Sequence, residues 1–195
     1  MSKFEFLMMI ASVVVAVGLA EIVAGWGRLL RSDNPSIKFD WIHIGFSLIF
    51  LLGFINYWTG MWSYHPLELK YTGQIAFLVL PSLFIVLAAY AISPAVPESE
   101  PLDCRDYYLR KRKAIWFSWG TFVLSSQVAD RVIAGLDTFS INGLLLFLPM
   151  ALVAFALGMT SRSWVHASVL VVFSGLTLLN QFTDVSGLDD VFIRE

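Results

Sequence analysis

The sequence predicts an all-α fold: one bundle of six membrane-spanning helices. Three observations carry that prediction. Six long apolar stretches, at about residues 6–27, 41–62, 72–93, 114–134, 141–160 and 163–183, cover most of the 195-residue chain. Each holds the roughly 20 residues that an α-helix needs to cross a hydrocarbon core about 30 Å thick. Charged residues make up only 14% of the chain and hydrophobic ones 57%, whereas a soluble domain carries about a quarter charged residues. Finally, Trp26, Trp41, Trp58, Trp62, Trp116, Trp119 and Trp164 all fall near the ends of the apolar stretches, where indole rings settle at the headgroup level.

The first stretch follows Met-Ser-Lys-Phe-Glu and reads as a retained helix, not a cleaved signal peptide. Its Gly18, Gly25 and Gly27, with Ala11, Ala16, Ala20 and Ala24, permit close backbone approach. That places span one centrally in the bundle. In span two, Trp58 and Trp62 are four residues apart and either anchor the helix or line a cavity. Pro81 in span three and Pro149 in span five are positions for a kink and freed carbonyls. The longest link, 94–113, holds three prolines in its first half, which reads as extended. Its second half reads as a short interfacial helix with a basic cluster against anionic headgroups. Cys104 is the single cysteine, so an intrachain disulfide is excluded. Beside the basic cluster it is also a candidate for acylation. So little chain lies outside the spans that residues 1–195 read as one transmembrane domain.

Lysine and arginine set the orientation. Nine of them, Arg28, Arg31, Lys38, Arg105, Arg110, Lys111, Arg112, Lys113 and Arg162, share one side; Lys3, Lys70, Arg131 and Arg194 share the other. The positive-inside rule puts the nine in the cytoplasm and both termini outside. The long link divides the spans three and three, which predicts two inverted halves of the kind that builds transporters. Leu19-Ala20-Glu21-Ile22-Val23 and Val128-Ala129-Asp130-Arg131-Val132 share Ala, an acid and Val in register, a weak echo of such a repeat.

A charge in hydrocarbon is costly, so an intramembrane acid is a functional candidate by default. Glu21 is the clearest. It precedes Arg28 by seven residues, about 10 Å of helix rise. The spacing puts both on one face but predicts a gap too wide for direct pairing. Glu21 is then a proton carrier, a cation ligand, a gate residue or an interhelical hydrogen-bond partner. Asp130 and Arg131 approach the outer interface, with Gln127 one turn earlier. Asn56, Asn180 and Gln181 fall in the same outer half; with Tyr57 and Asp184 they either surround a polar vestibule or join helices by hydrogen bonds. His43 and His166 sit at similar depth on spans two and six and are candidates to hold a haem or metal between helices, although no helix carries two histidines at ligand spacing. No catalytic residue or metal cluster stands out.

The stretch Val17–Arg31 resembles the first helix of a broad group of small bacterial integral membrane proteins of six helices. Trp41-Ile42-His43, followed by Asn56-Tyr57-Trp58 and Trp62, resembles the second helix of that group, and Asp106-Tyr107-Tyr108 resembles its central loop. The resemblance covers about the first two-thirds of the chain. It implies a bacterial inner-membrane location and carries no activity. The chain departs from the group at Asn56-Tyr57, where members hold Gln or a second aromatic.

Transport or conduction leads from these observations, narrowly ahead of a sensor, scaffold or accessory role. A small transporter or ion channel follows from six spans, Glu21 and inverted halves, with a homo-oligomer expected if one subunit is too narrow for a pore. A sensor, scaffold or accessory subunit follows from the basic link, which offers a surface for a protein partner. A membrane-embedded enzyme ranks last, since no nucleophile pairs with a base. The bilayer is the expected environment, and a net charge of −2 gives no reason to expect nucleic acid.

Overall fold

The structure, a computed structural model, describes residues 2–32, 36–65, 72–95, 101–134 and 141–192. It is all-helical. The helices are α1 (Lys3–Arg31), α2 (Trp41–Gly60), α3 (Thr72–Ile92), α4 (Cys104–Ala134), α5 (Ile141–Met159) and α6 (Ser163–Phe192). A 3₁₀ turn, Met61–Tyr64, follows α2. Among the described residues three helices are long and apolar enough to cross a membrane: α1, α2 and, in α3, Gly73–Ile92. The chain divides into two compact units, residues 1–161 and 162–195. The second holds α6.

The ends of the helices follow from local chemistry. At the start of α1, the Ser2 hydroxyl accepts from the Glu5 amide while the Glu5 carboxylate accepts from the Ser2 amide. This reciprocal box satisfies two of the donors that a helix start leaves open. At the start of α2, Asp40 accepts from the amides of Ile42 and His43. At the start of α4, Asp103 accepts from those of Arg105 and Asp106. Two-residue strands lead into both caps. β1 (Ile37–Lys38) and β2 (Leu102–Asp103) pair in parallel, Ile37 opposite Leu102 and Lys38 opposite Asp103.

Within the first unit, α3 packs on α4 and α1, and α5 packs on α4. Two apolar clusters close its ends. Leu7, Ala11, Met61, Tyr64, Ile75, Leu78 and Ala129 join the start of α1 to the far end of α4. Leu29, Leu102 and Cys104 form the other cluster, under the strand pair.

Between them, aromatic rings enter glycine notches. A side chain at Gly18 of α1 would collide with the Phe54 ring of α2, and one at Gly53 of α2 would meet Trp119 of α4 at 2.5 Å. The exchange is reciprocal across α4 and α5. Gly120 lies under Phe155, and Gly158 lies under Phe117, each with a notional Cβ at 2.8 Å from the opposing ring. A glycine lets the facing ring come close to the neighbouring backbone, and such close van der Waals packing holds helices together.

Several expectations are corrected here. Trp116 and Trp119 are buried core residues, not belt residues. Trp116 meets Phe46 and Phe50 edge-on, and Trp119 stacks on Phe50 with centroids 4.3 Å apart. Nearness to a span end does not decide whether a ring faces lipid or a neighbouring helix. Span one is not buried all round: α1 buries one stripe, Leu7, Ala11, Val15, Gly18, Ile22, Gly25 and Leu29. Ala16, Ala20 and Ala24 are exposed on its other side, and Gly27 has open space beside it. The second half of the long link is helical, as expected, but it is no short element of its own: α4 runs unbroken from Cys104 through the basic cluster into the apolar run.

Trp58 and Trp62 meet edge-on at 6.4 Å, and the Trp58 indole donates to the Ser12 hydroxyl. α3 is helical through Pro81. Near it, Tyr57 donates to the Leu78 carbonyl and Ser82 to that of Val79.

Candidate functional site

The polar side chains of the first unit concentrate where α3 ends. A helix terminus leaves its last carbonyls without partners in the helix. Here three other helices supply donors. The Tyr107 hydroxyl of α4 lies 3.0 Å from the carbonyls of both Ala91 and Ser93. His43 Nε2 of α2 lies 2.8 Å from the Ile92 carbonyl. Arg28 Nε of α1 donates to the Pro94 carbonyl at 3.3 Å. In return, the Ser93 hydroxyl donates to the Glu21 carbonyl of α1. A cation at this position also opposes the negative end of the α3 dipole.

Because a carbonyl only accepts, the His43 contact places the ring proton on Nε2. His43 is buried, and its Nδ1 has no hydrogen-bond partner among the described residues. Its ring meets Tyr107 edge-on at 6.2 Å.

An ion pair ties α2 to α4 beside this junction. Arg105 Nε lies 2.8 Å from Asp40 Oδ2, while Asp40 Oδ1 caps α2. Asp40 is 7% exposed and Arg105 47%. Next to it, burial raises the Cys104 thiol to about 11, with the Asp103 and Asp40 carboxylates pushing the same way. Burial also raises both tyrosines that follow. For Tyr107 the Arg28 guanidinium opposes that rise. For Tyr108 a hydrogen bond from the Trp116 indole opposes it. A buried, protonated thiol is a poor nucleophile. This overturns the reading of Cys104 as an acylation site, because the start of α4 folds it beneath the strand pair.

Contrary to the gap expected from helix rise, Glu21 pairs with Arg28, at 2.6 Å between Oε1 and Nη2. Helix rise measures the separation of backbones, not of side chains. Side chains on a helix tilt toward its N-terminus, so the long arginine reaches back over two turns. Glu21 is 19% exposed and Arg28 40%.

Two of the remaining candidates lie elsewhere in the first unit. Asn56 is exposed near the other end of α2, and Gln127 is half-buried on α4. The helices that carry Asp130, Arg131, Asn180 and Gln181 are described, but those side chains lie outside the described residues, as does that of Asp184. His166 is buried in the second unit. Among the described residues, no group of three His, Cys, Asp or Glu is placed to hold a metal ion.

Sequence reasoning missed Asp40, Asp103, Tyr107 and Ser93 as organising residues. The caps had a legible signal: an aspartate immediately before an apolar run or a helical stretch. Tyr107 and Ser93 had none, since their partners are distant in sequence. No protein-family model, curated protein or solved structure matches this chain.

Proposed function

We propose that the chain is an integral membrane protein that acts as a scaffold or accessory subunit, with transport as the second reading. One observation carries this. The polar side chains where α3 ends are spent on joining helices: Arg28, His43 and Tyr107 bond the terminal carbonyls of α3 from α1, α2 and α4. Such an arrangement stabilises a fixed end of a bundle, with the nine-cation face toward the cytoplasm and a protein partner expected there. In the fuller reading all six helices span the inner membrane and both termini lie outside.

Transport retains one support. Glu21 is partly exposed, and its ion-pair partner lies on its own helix, so it can exchange Arg28 for a proton or cation without separating two helices. The halves would then be the 3+3 inverted repeat. Both readings meet in one experiment: proton and cation flux in proteoliposomes, run beside the size of the complex extracted from native membranes. The scaffold reading expects flux at the level of protein-free liposomes and a stoichiometric complex with a second protein. Flux that Glu21→Gln abolishes would overturn it in favour of transport.

A further inference from the structure

We infer that the basic end of α4 is a binding site for an anionic glycerophospholipid whose headgroup carries hydroxyls. Asp106, Leu109, Arg110 and Arg112 line one open recess on this helix. Arg112 is half-buried: its Nε is buried and its Nη1 donates to the Leu109 carbonyl of its own helix. A guanidinium held in place in this way, beside the exposed Arg110, suits a phosphate oxygen, and arginine binds phosphate through paired, charge-assisted hydrogen bonds.

Two features select a lipid over free phosphate. Arg110 heads a stripe that continues through Ala114, the outer part of Phe117 (whose ring also seats on Gly158 of α5), Leu124 and Val128. The steps of three, four or seven residues keep these positions on one helix face. A cationic head followed by an apolar track matches the shape of a phospholipid, with the phosphate at the recess and an acyl chain along the stripe. The second feature is Asp106. A carboxylate repels an anion but accepts hydrogen bonds, so a headgroup bearing hydroxyls beside its phosphate satisfies the acid and both arginines together. Neither the scaffold nor the transport reading is needed for this site; it requires only that α4 lie at a membrane surface.

Native mass spectrometry of the detergent-purified full chain tests it, with phosphatidylglycerol, phosphatidic acid and phosphatidylcholine as probes. Phosphatidylglycerol should be retained best and phosphatidylcholine least. Arg110→Gln and Arg112→Gln should each weaken phosphatidylglycerol about tenfold, the scale of one charge-assisted hydrogen bond. Lys111→Gln, on a neighbouring face, should change it less than about twofold. Asp106→Asn should remove the preference over phosphatidic acid. Excess inorganic phosphate should not displace the lipid. Equal retention of all three lipids, equal loss with Lys111→Gln, or displacement by phosphate would each overturn the site. If Arg112→Gln does not fold, Arg110→Gln decides alone.

Discussion

Arg28 contacts both Glu21, two turns earlier on its own helix, and the Pro94 carbonyl just beyond the end of α3. The first contact is partly exposed, and exposed ion pairs contribute little, about 0–1 kcal/mol. The second satisfies a helix end. Arg28→Ala should therefore destabilise the protein by about 1–2 kcal/mol, and Glu21→Gln by less. Thermal unfolding in detergent compares them. Equal shifts for the two variants would mean that the ion pair dominates and the α3 contact is idle.

The reciprocal exchange of Phe117 and Phe155 with Gly158 and Gly120 makes a coupled prediction. Gly120→Val puts branched carbon where the Phe155 ring lies, and overpacking of this kind costs about 1–3 kcal/mol. Phe155→Ala costs a similar amount through the cavity it leaves. In the double variant the valine enters that cavity, so the two losses should fall short of their sum by about 1 kcal/mol or more. Strict additivity would show that the two positions do not touch.

Alkaline pH should unfold the protein earlier than its apolar content suggests. Burial keeps Cys104, Tyr107 and Tyr108 protonated in the folded state above their ordinary ranges. The ordinary thiol value is 9.0 and the folded value about 11. Below pH 9 the thiol is protonated in both states and its contribution is fully present. Between 9 and 11 the unfolded chain loses the proton while the folded chain keeps it, so stability falls as pH rises. The slope reaches at most about 1.4 kcal/mol per pH unit for each such group. Melting temperature should drop between pH 9 and 11, and Cys104→Ala should reduce the drop. Maleimide should label Cys104 slowly at pH 8 unless the chain is unfolded. Rapid labelling of folded protein at that pH would contradict the burial.

Apolar runs bounded by polar links located all six helices to within a few residues at most ends. The exceptions are α4, which starts at Cys104 because its polar first turns carry no hydropathy signal, and α6, which reaches Phe192. Facing was less legible. Trp116 and Trp26 look alike along the chain, but Trp116 is buried because Phe46 and Phe50 of α2 stand opposite. The strand pair is two residues a side, too short for any alternating pattern. His43 stood out as a candidate because its depth matches that of His166; its observed partner, the Ile92 carbonyl, belongs to a helix end that spacing on α2 cannot reveal.

That helix end gives a direct test of His43. His43→Phe keeps the ring contact with Tyr107 but removes the donor, leaving the Ile92 carbonyl unanswered at a cost of about 1–3 kcal/mol. His43→Gln offers an amide donor and should recover part of it. If Phe and Gln are equally tolerated, the hydrogen bond is not what holds α2 to the end of α3.

Asp40 combines two tasks that substitution separates. Its Oδ1 accepts from the first amides of α2, and its Oδ2 holds Arg105. Losing a helix cap costs about 0.5–2 kcal/mol. Losing the ion pair costs less, because Arg105 is half exposed and water replaces its partner. Asp40→Ala should therefore be clearly destabilising, Asp40→Ser should restore most of the loss by capping alone, and Arg105→Gln should be nearly neutral. Asp40→Ser behaving as badly as Asp40→Ala, with Arg105→Gln matching both, would instead make the α2–α4 ion pair the main contribution and the cap a minor one.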